Sequence, residues 1–219
     1  MYKRQGLAPG ATQVSLGTSG VVATVSETPV RDATGTVAGF ADATGHFLPL
    51  VCTLNGARVL VSTAELLSVD YDEFSRLALS APAGADGLTL VPYFEGERTP
   101  NLPHATATLS GMTLTSFTRA NLARAAVEGL ARLLGDALTG VRERDVPVRR
   151  VTLVGGGAQA EAFRVLAAQV WGLPGDAPPP AEYVPRGAAP QAARLPSGAP
   201  SPTHRGEPGG HAYQPGRRT

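Results

Sequence analysis

The sequence predicts an α/β fold, a mixed sheet with helices packed against it. Three features carry that expectation. Paired short apolar runs with glycine-containing turns open the chain. A long stretch of helical periodicity lies past its middle, and a strand–turn–helix pattern follows.

The elements follow in order. Residues 6–11 read as loop. Residues 13–16 and 21–26 alternate in polarity around Gly17-Thr18-Ser19-Gly20, which predicts a hairpin. Residues 35–41 and 46–53 predict a second hairpin across Asp42-Ala43-Thr44-Gly45. Residues 55–67 read as a helix that Asn55 is placed to cap. Residues 70–81 read as another helix, stopped by Pro82. Residues 88–92 form a short buried strand, followed by a charged loop, Glu95-Gly96-Glu97-Arg98-Thr99-Pro100.

The clearest helix spans 118–143. Leu122, Ala126, Leu130, Leu133, Leu134, Ala137, Leu138 and Val141 make one apolar stripe, and Thr118 can cap its start. Arg124, Glu128 and Arg132, four apart, predict ion pairs on its solvated face. Residues 148–154 then read as a strand, 155–158 as a turn, and 160–171 as a helix with Phe163, Leu166, Ala167, Val170 and Trp171 facing inward. Residues 12–195 are expected to form one domain. Residues 196–219, rich in Pro, Gly and Arg, carry almost no large apolar side chain and are expected to be a disordered tail.

Composition excludes several functions. A net charge of +1 over 219 residues gives no reason to expect nucleic acid or an anionic membrane as partner. No apolar run reaches the roughly 18–20 residues that span a bilayer, and Met1-Tyr2-Lys3-Arg4-Gln5 lacks the apolar core of a signal peptide. A cytoplasmic location is the expectation. The single cysteine, Cys52, fits a reducing compartment and reads as a buried, inert thiol. The four histidines have no metal-ligand spacing, so no metal-binding residue is predicted.

The candidate site rests on two glycine turns at strand ends. Gly17, Thr18, Ser19 and Gly20 form the first; Gly155, Gly156, Gly157 and Ala158 form the second. Such turns present backbone N–H groups that suit phosphate oxygens. Each has a plainer reading, a tight hairpin for the first and close strand–helix packing for the second. Three consecutive glycines favour a ligand, because each costs roughly 0.5–1 kcal/mol of backbone entropy relative to alanine. The Thr18 and Ser19 hydroxyls can contact phosphate or order a Mg²⁺-bound water; they can equally bond within the turn. Glu95, Glu97 and Arg98 face a cleft or a neighbouring lobe, or else form a surface loop with local ion pairs.

At three places the chain resembles the FGGY carbohydrate kinases. Val14-Ser15-Leu16-Gly17-Thr18-Ser19-Gly20 is similar to that family's phosphate-binding hairpin. Phe94-Glu95-Gly96-Glu97-Arg98-Thr99-Pro100 resembles its Gly-Glu-Arg-Thr-Pro signature, and Val154-Gly155-Gly156-Gly157-Ala158 its adenosine motif. Phe40-Ala41-Asp42-Ala43-Thr44-Gly45 and Leu54-Asn55-Gly56-Ala57-Arg58 look most like the members that phosphorylate D-xylulose.

The resemblance implies the C-terminal lobe of a two-lobed enzyme of actin-like, ribonuclease H-like fold. ATP and Mg²⁺ would lie between the lobes, with the γ-phosphoryl passing to a sugar hydroxyl. It places Gly17, Thr18 and Ser19 at the terminal phosphates, Gly56 near the inner phosphates, and Gly155, Gly156, Gly157 and Ala158 beside the adenosine. The sugar, a ketopentose, would be held mostly by the N-terminal lobe, and a homodimer is possible. The family's catalytic aspartate stands upstream of the first turn, whereas the first acid here is Glu27. The expectation is therefore that these residues alone do not turn over. The alternative is a non-catalytic nucleotide-binding or interaction module pairing with a separate lobe. Two departures stand out: Gln159-Ala160 replaces a basic residue and serine, and Pro190 falls within the family's last helix, which suggests a truncated or frameshifted gene.

Overall fold

The computed structural model describes residues 8–42, 44–179 and 211–215. A six-stranded sheet has the order β3-β2-β1-β6-β7-β8. Its strands are β1 (Ala11–Leu16), β2 (Gly20–Thr24), β3 (Leu50–Thr53), β6 (Arg150–Val154), β7 (Gly175–Ala177) and β8 (His211–Tyr213). β1 pairs antiparallel with β2 and parallel with β6, so the sheet is mixed, as expected. β4 (Thr89–Val91) and β5 (Thr108–Ser110) form a separate two-stranded sheet.

Among the described residues four α-helices pack on this frame: α1 (Ala57–Leu66), α2 (Tyr71–Ser80), α3 (Arg119–Arg142) and α4 (Glu161–Trp171). α3 is the central beam, touching α1, α2, α4 and strands β2 to β4. Its stripe is buried as predicted except at Leu122, which is half-buried, and Leu130, Leu134 and Leu138 are almost wholly inaccessible. Thr118 caps it by accepting the Asn121 N–H. Asp70 does the same for α2 through Glu73 N–H. α4 buries Phe163, Leu166 and Ala167, and Trp171 Nε1 donates to Ala131 O at 2.7 Å. Among the described residues no helix is long and apolar enough to cross a membrane.

Four expectations need correction. The second hairpin pairs, but without a regular strand at 35–41. Ala38 and Leu50 exchange backbone bonds, Leu48 N–H donates to Phe40 O and Asp42 N–H to His46 O, and the ladder is reduced to the isolated bridges Ala38–Leu50 and Ala41–Phe47. Aspartate side chains take up neighbouring backbone donors, among them the His46 N–H that would otherwise donate to Asp42 O. Asp32 accepts from the N–H of Thr34 and Val37, and Asp42 from those of Thr44 and His46. Second, Arg124 and Glu128 are not on a solvated face; both are buried beneath the segment that follows α2. Third, Cys52 is half-buried. Fourth, within the tail His211–Tyr213 is a strand, because its backbone pairs with the edge of β7. Residues 196–210 and 216–219 of the tail, and Pro190, lie outside the described residues.

Candidate functional site

The sheet topology brings the glycine loops together. β1, β3 and β6 all end on one side of the sheet. Ser15 is paired with Val154, and Thr53 stands opposite Gly20, which follows the first turn. The loops at residues 17–19, 54–56 and 155–159 therefore meet where an open α/β sheet places its ligands, outside the carboxyl ends of its strands.

Contacts between the loops are close. Ala57 N–H donates to Gly17 O at 2.7 Å, tying the start of α1 to the first turn. A Cβ on Gly56 would lie 2.6 Å from Ser19 C and 2.7 Å from Gly17 O, so only glycine fits there. The second turn seats equally closely. Gly155 has φ +100°, and a Cβ on Gly157 would lie 2.6 Å from Leu16 Cδ2 and 2.8 Å from Ala57 Cβ. All the expected residues, Gly17, Thr18, Ser19, Gly56 and Gly155 to Ala158, thus belong to one constellation.

Gly156 differs from its neighbours. Its φ is one that any residue adopts, and a Cβ there would meet nothing within 4 Å. Packing explains Gly155 and Gly157 but not Gly156, which leaves close approach of a ligand as the physical use of its missing side chain. A stability contrast checks this geometry. Gly56→Ala is expected to lower stability by about 1–3 kcal/mol through overpacking against backbone. Gly156→Ala should leave it unchanged or raise it by up to about 1 kcal/mol, by restricting the unfolded chain. Urea unfolding of both variants compares them; equal losses would contradict it.

A cleft of about 240 Å³ opens beside Thr18, lined by Leu54, Asn55, Arg58, Val59, Ser62, Phe94 and Glu95. Arg58 and Glu95 face each other across an exposed pair, Nη1 to Oε2 at 2.7 Å. Solvent screening leaves such a pair with little weight in stability. Phe94 and Leu54 are both exposed, an apolar rim on this face.

The charged loop is held from below. Glu97 is 1% exposed. Its Oε1 accepts from the N–H groups of Leu54, Arg98 and Thr99. Its Oε2 accepts from the Asn55 backbone N–H and from Asn55 Nδ2. Asn55 does not cap α1; Gly56 occupies that position without a side-chain bond. Instead Asn55 Nδ2 also donates to Gly96 O, and its Oδ1 accepts from Phe94 N–H. Glu97 and Asn55 thus fasten the cleft wall to the β3–α1 loop. Glu95 fits the surface reading of the charged loop, with its ion pair to Arg58, whereas Glu97 is buried in the interior, which neither reading foresaw. Arg58 and Ser62 were not anticipated as lining residues; only their helical spacing after Gly56 hinted at it.

Comparison with known proteins bears on this arrangement. Residues 12–195 match the FGGY family of carbohydrate kinases, C-terminal domain. The chain is 42% identical over 194 residues to a xylulose kinase of Streptomyces coelicolor, covering 88% of this chain and 38% of the relative. It is 30% identical over 176 residues to a gluconokinase of Bacillus subtilis, covering 74% and 34%. Among solved structures, the xylulose kinase from Bifidobacterium adolescentis superposes with a TM-score of 0.80 at 54% identity, over 89% of this chain and 38% of that one. The fold is the actin-like lobe that the sequence led us to expect. The chain thus spans well under half the length of these relatives.

Proposed function

Since the chain belongs to the FGGY family of carbohydrate kinases, matching its C-terminal domain, we propose that its three glycine loops hold the ATP of a sugar kinase. One observation carries the reading: the loops converge at one sheet end, with Gly156 open where a ligand can approach. Gly17, Thr18 and Ser19 meet the terminal phosphates, Gly56 lies near the inner ones, and Gly155, Gly156, Gly157 and Ala158 flank the adenosine. Among the described residues no group of three or more His, Cys, Asp or Glu side chains could hold a metal ion. Mg²⁺ would therefore come with the phosphates, and no residue here is assigned to it.

The acceptor we propose is D-xylulose, a ketopentose, giving D-xylulose 5-phosphate. Support comes from 42% identity to the Streptomyces xylulose kinase against 30% to the gluconokinase. Transfer requires a base for the sugar hydroxyl proton, and no acid precedes the first turn among these residues. A second lobe would supply that base and pack over the exposed Leu54 and Phe94.

Two measurements test this. ADP at 100 times its Kd should stabilise the chain by about 2.7 kcal/mol, raising Tm by roughly 5–10 °C. Gly156→Ala should lose most of that rise while keeping its own melting point. In a coupled assay with xylulose and ATP, the 219 residues alone should fall far below the ~1–100 s⁻¹ of working kinases. No thermal response to ADP would sink the nucleotide reading; ordinary turnover would sink the assignment of the base to another lobe.

A further inference from the structure

The structure assigns Arg164 and Tyr213 a role in positioning the 155–159 turn, an inference that rests on the nucleotide reading above. The junction between that turn and α4 is poorly secured by local means. Ala160 stands at the helix start and offers no side-chain cap. Arg164, on the first turn of α4, lies near the positive end of the helix dipole, where a cation is disfavoured. A residue that breaks a local rule needs a compensating contact, and the structure supplies one. Arg164 Nη1 donates to both Ala158 O and Gln159 O, each at 3.2 Å. One guanidinium thus grips the carbonyl side of the turn whose glycines face the site.

The guanidinium is itself held from outside the matched domain. Its carbon lies 5.6 Å from the centre of the Tyr213 ring, within cation–π range. Tyr213 stands on β8 opposite Gly175 of β7, half-buried against the main core. The family match ends at residue 195, so β8 is an addition beyond it. Its strand pairing fixes the ring, the ring fixes Arg164, and Arg164 fixes the turn. A turn held in its binding geometry before the ligand arrives binds more tightly, because less ordering remains to be done. Tyr213 and Arg164 are therefore positioning residues that act on nucleotide affinity.

The test uses the full chain, with ADP–Mg²⁺ as probe and calorimetric titration as readout. Tyr213→Ala and Arg164→Met are each expected to raise the Kd about five- to tenfold. Tyr213→Phe, which keeps the ring, should stay within about twofold of wild type. Without nucleotide, amide hydrogen exchange across 155–160 should quicken in the first two variants and not in the third. Wild-type affinity and unchanged exchange in Tyr213→Ala and Arg164→Met would overturn the inference. If the wild-type chain binds no ADP, the nucleotide reading fails, and the exchange data still decide whether Arg164 holds the turn. Should Arg164→Met not fold, Arg164→Lys keeps the charge but not the forked grip, and faster exchange is expected there too.

Discussion

Glu97→Ala is expected to lower stability by about 3–5 kcal/mol, read as a fall in the urea midpoint. The carboxylate is 1% exposed and receives five N–H donors. Each buried donor left without an acceptor costs about 1–3 kcal/mol. Loop relaxation would rehydrate some of them, so the sum does not reach its upper limit. Against a typical total of 5–15 kcal/mol the loss is large. Glu97→Gln should cost less, because its carbonyl can occupy the Oε1 position and keep three donors. Its NH₂ would then face the Asn55 backbone N–H and Nδ2, donor against donor. Turning the Asn55 amide to relieve this would give up its bond from Phe94 N–H. The expected order of midpoints is wild type, glutamine, alanine. An alanine variant with the wild-type midpoint would show that Glu97 does not anchor the loop.

The fold was legible where the signal was local. The 3.6-residue stripe of α3 buried all the expected side chains but Leu122, and Thr118 capped it as its type and place foretold. The glycine turns were visible because a backbone that must approach something closely has few residue choices. Glu97 was visible only as a charge in a loop. Three of its donors, on Leu54 and Asn55, sit more than forty residues back in the chain, and no periodicity connects them. The alternation at 35–41 foretold the pairing with 46–53 but not its irregularity. Asp32 and Asp42 offered some backbone donors nearer acceptors, so the hairpin keeps only isolated bridges. Likewise the strand at His211–Tyr213 draws on the open edge of β7, not on its own composition.

Arg124 and Glu128 illustrate the same limit, and breaking the pair should be the other large effect. Four-residue spacing of opposite charges on a helix ordinarily means a wet face worth a few tenths of a kcal/mol. Here the side chains are only 9% and 5% exposed, and Arg124 Nε lies 2.5 Å from Glu128 Oε1. Gly84 N–H also donates to Oε1, Arg132 Nη2 to Oε2, and Arg124 Nη1 to Ala81 O. The pair thus pins the segment after α2 onto α3. Glu128→Ala strands a buried guanidinium and is expected to cost about 3–5 kcal/mol. The double variant Arg124→Met/Glu128→Leu should recover part of that loss, since it leaves no charge to desolvate. The pH dependence carries a defined sign. Burial pushes the Glu128 carboxyl up, but the bonds from Arg124 and Gly84 and the charges of Arg124 and Arg132 outweigh it, holding the group below its ordinary value. The unfolded chain therefore takes up this proton first as pH falls. The contribution is complete above roughly pH 4.3 and is lost as pH falls through the folded-state value. Urea midpoints of wild type and Glu128→Gln should converge on acidification below that point. A gap that stayed constant would mean that the charge of Glu128 contributes nothing beyond its hydrogen bonds.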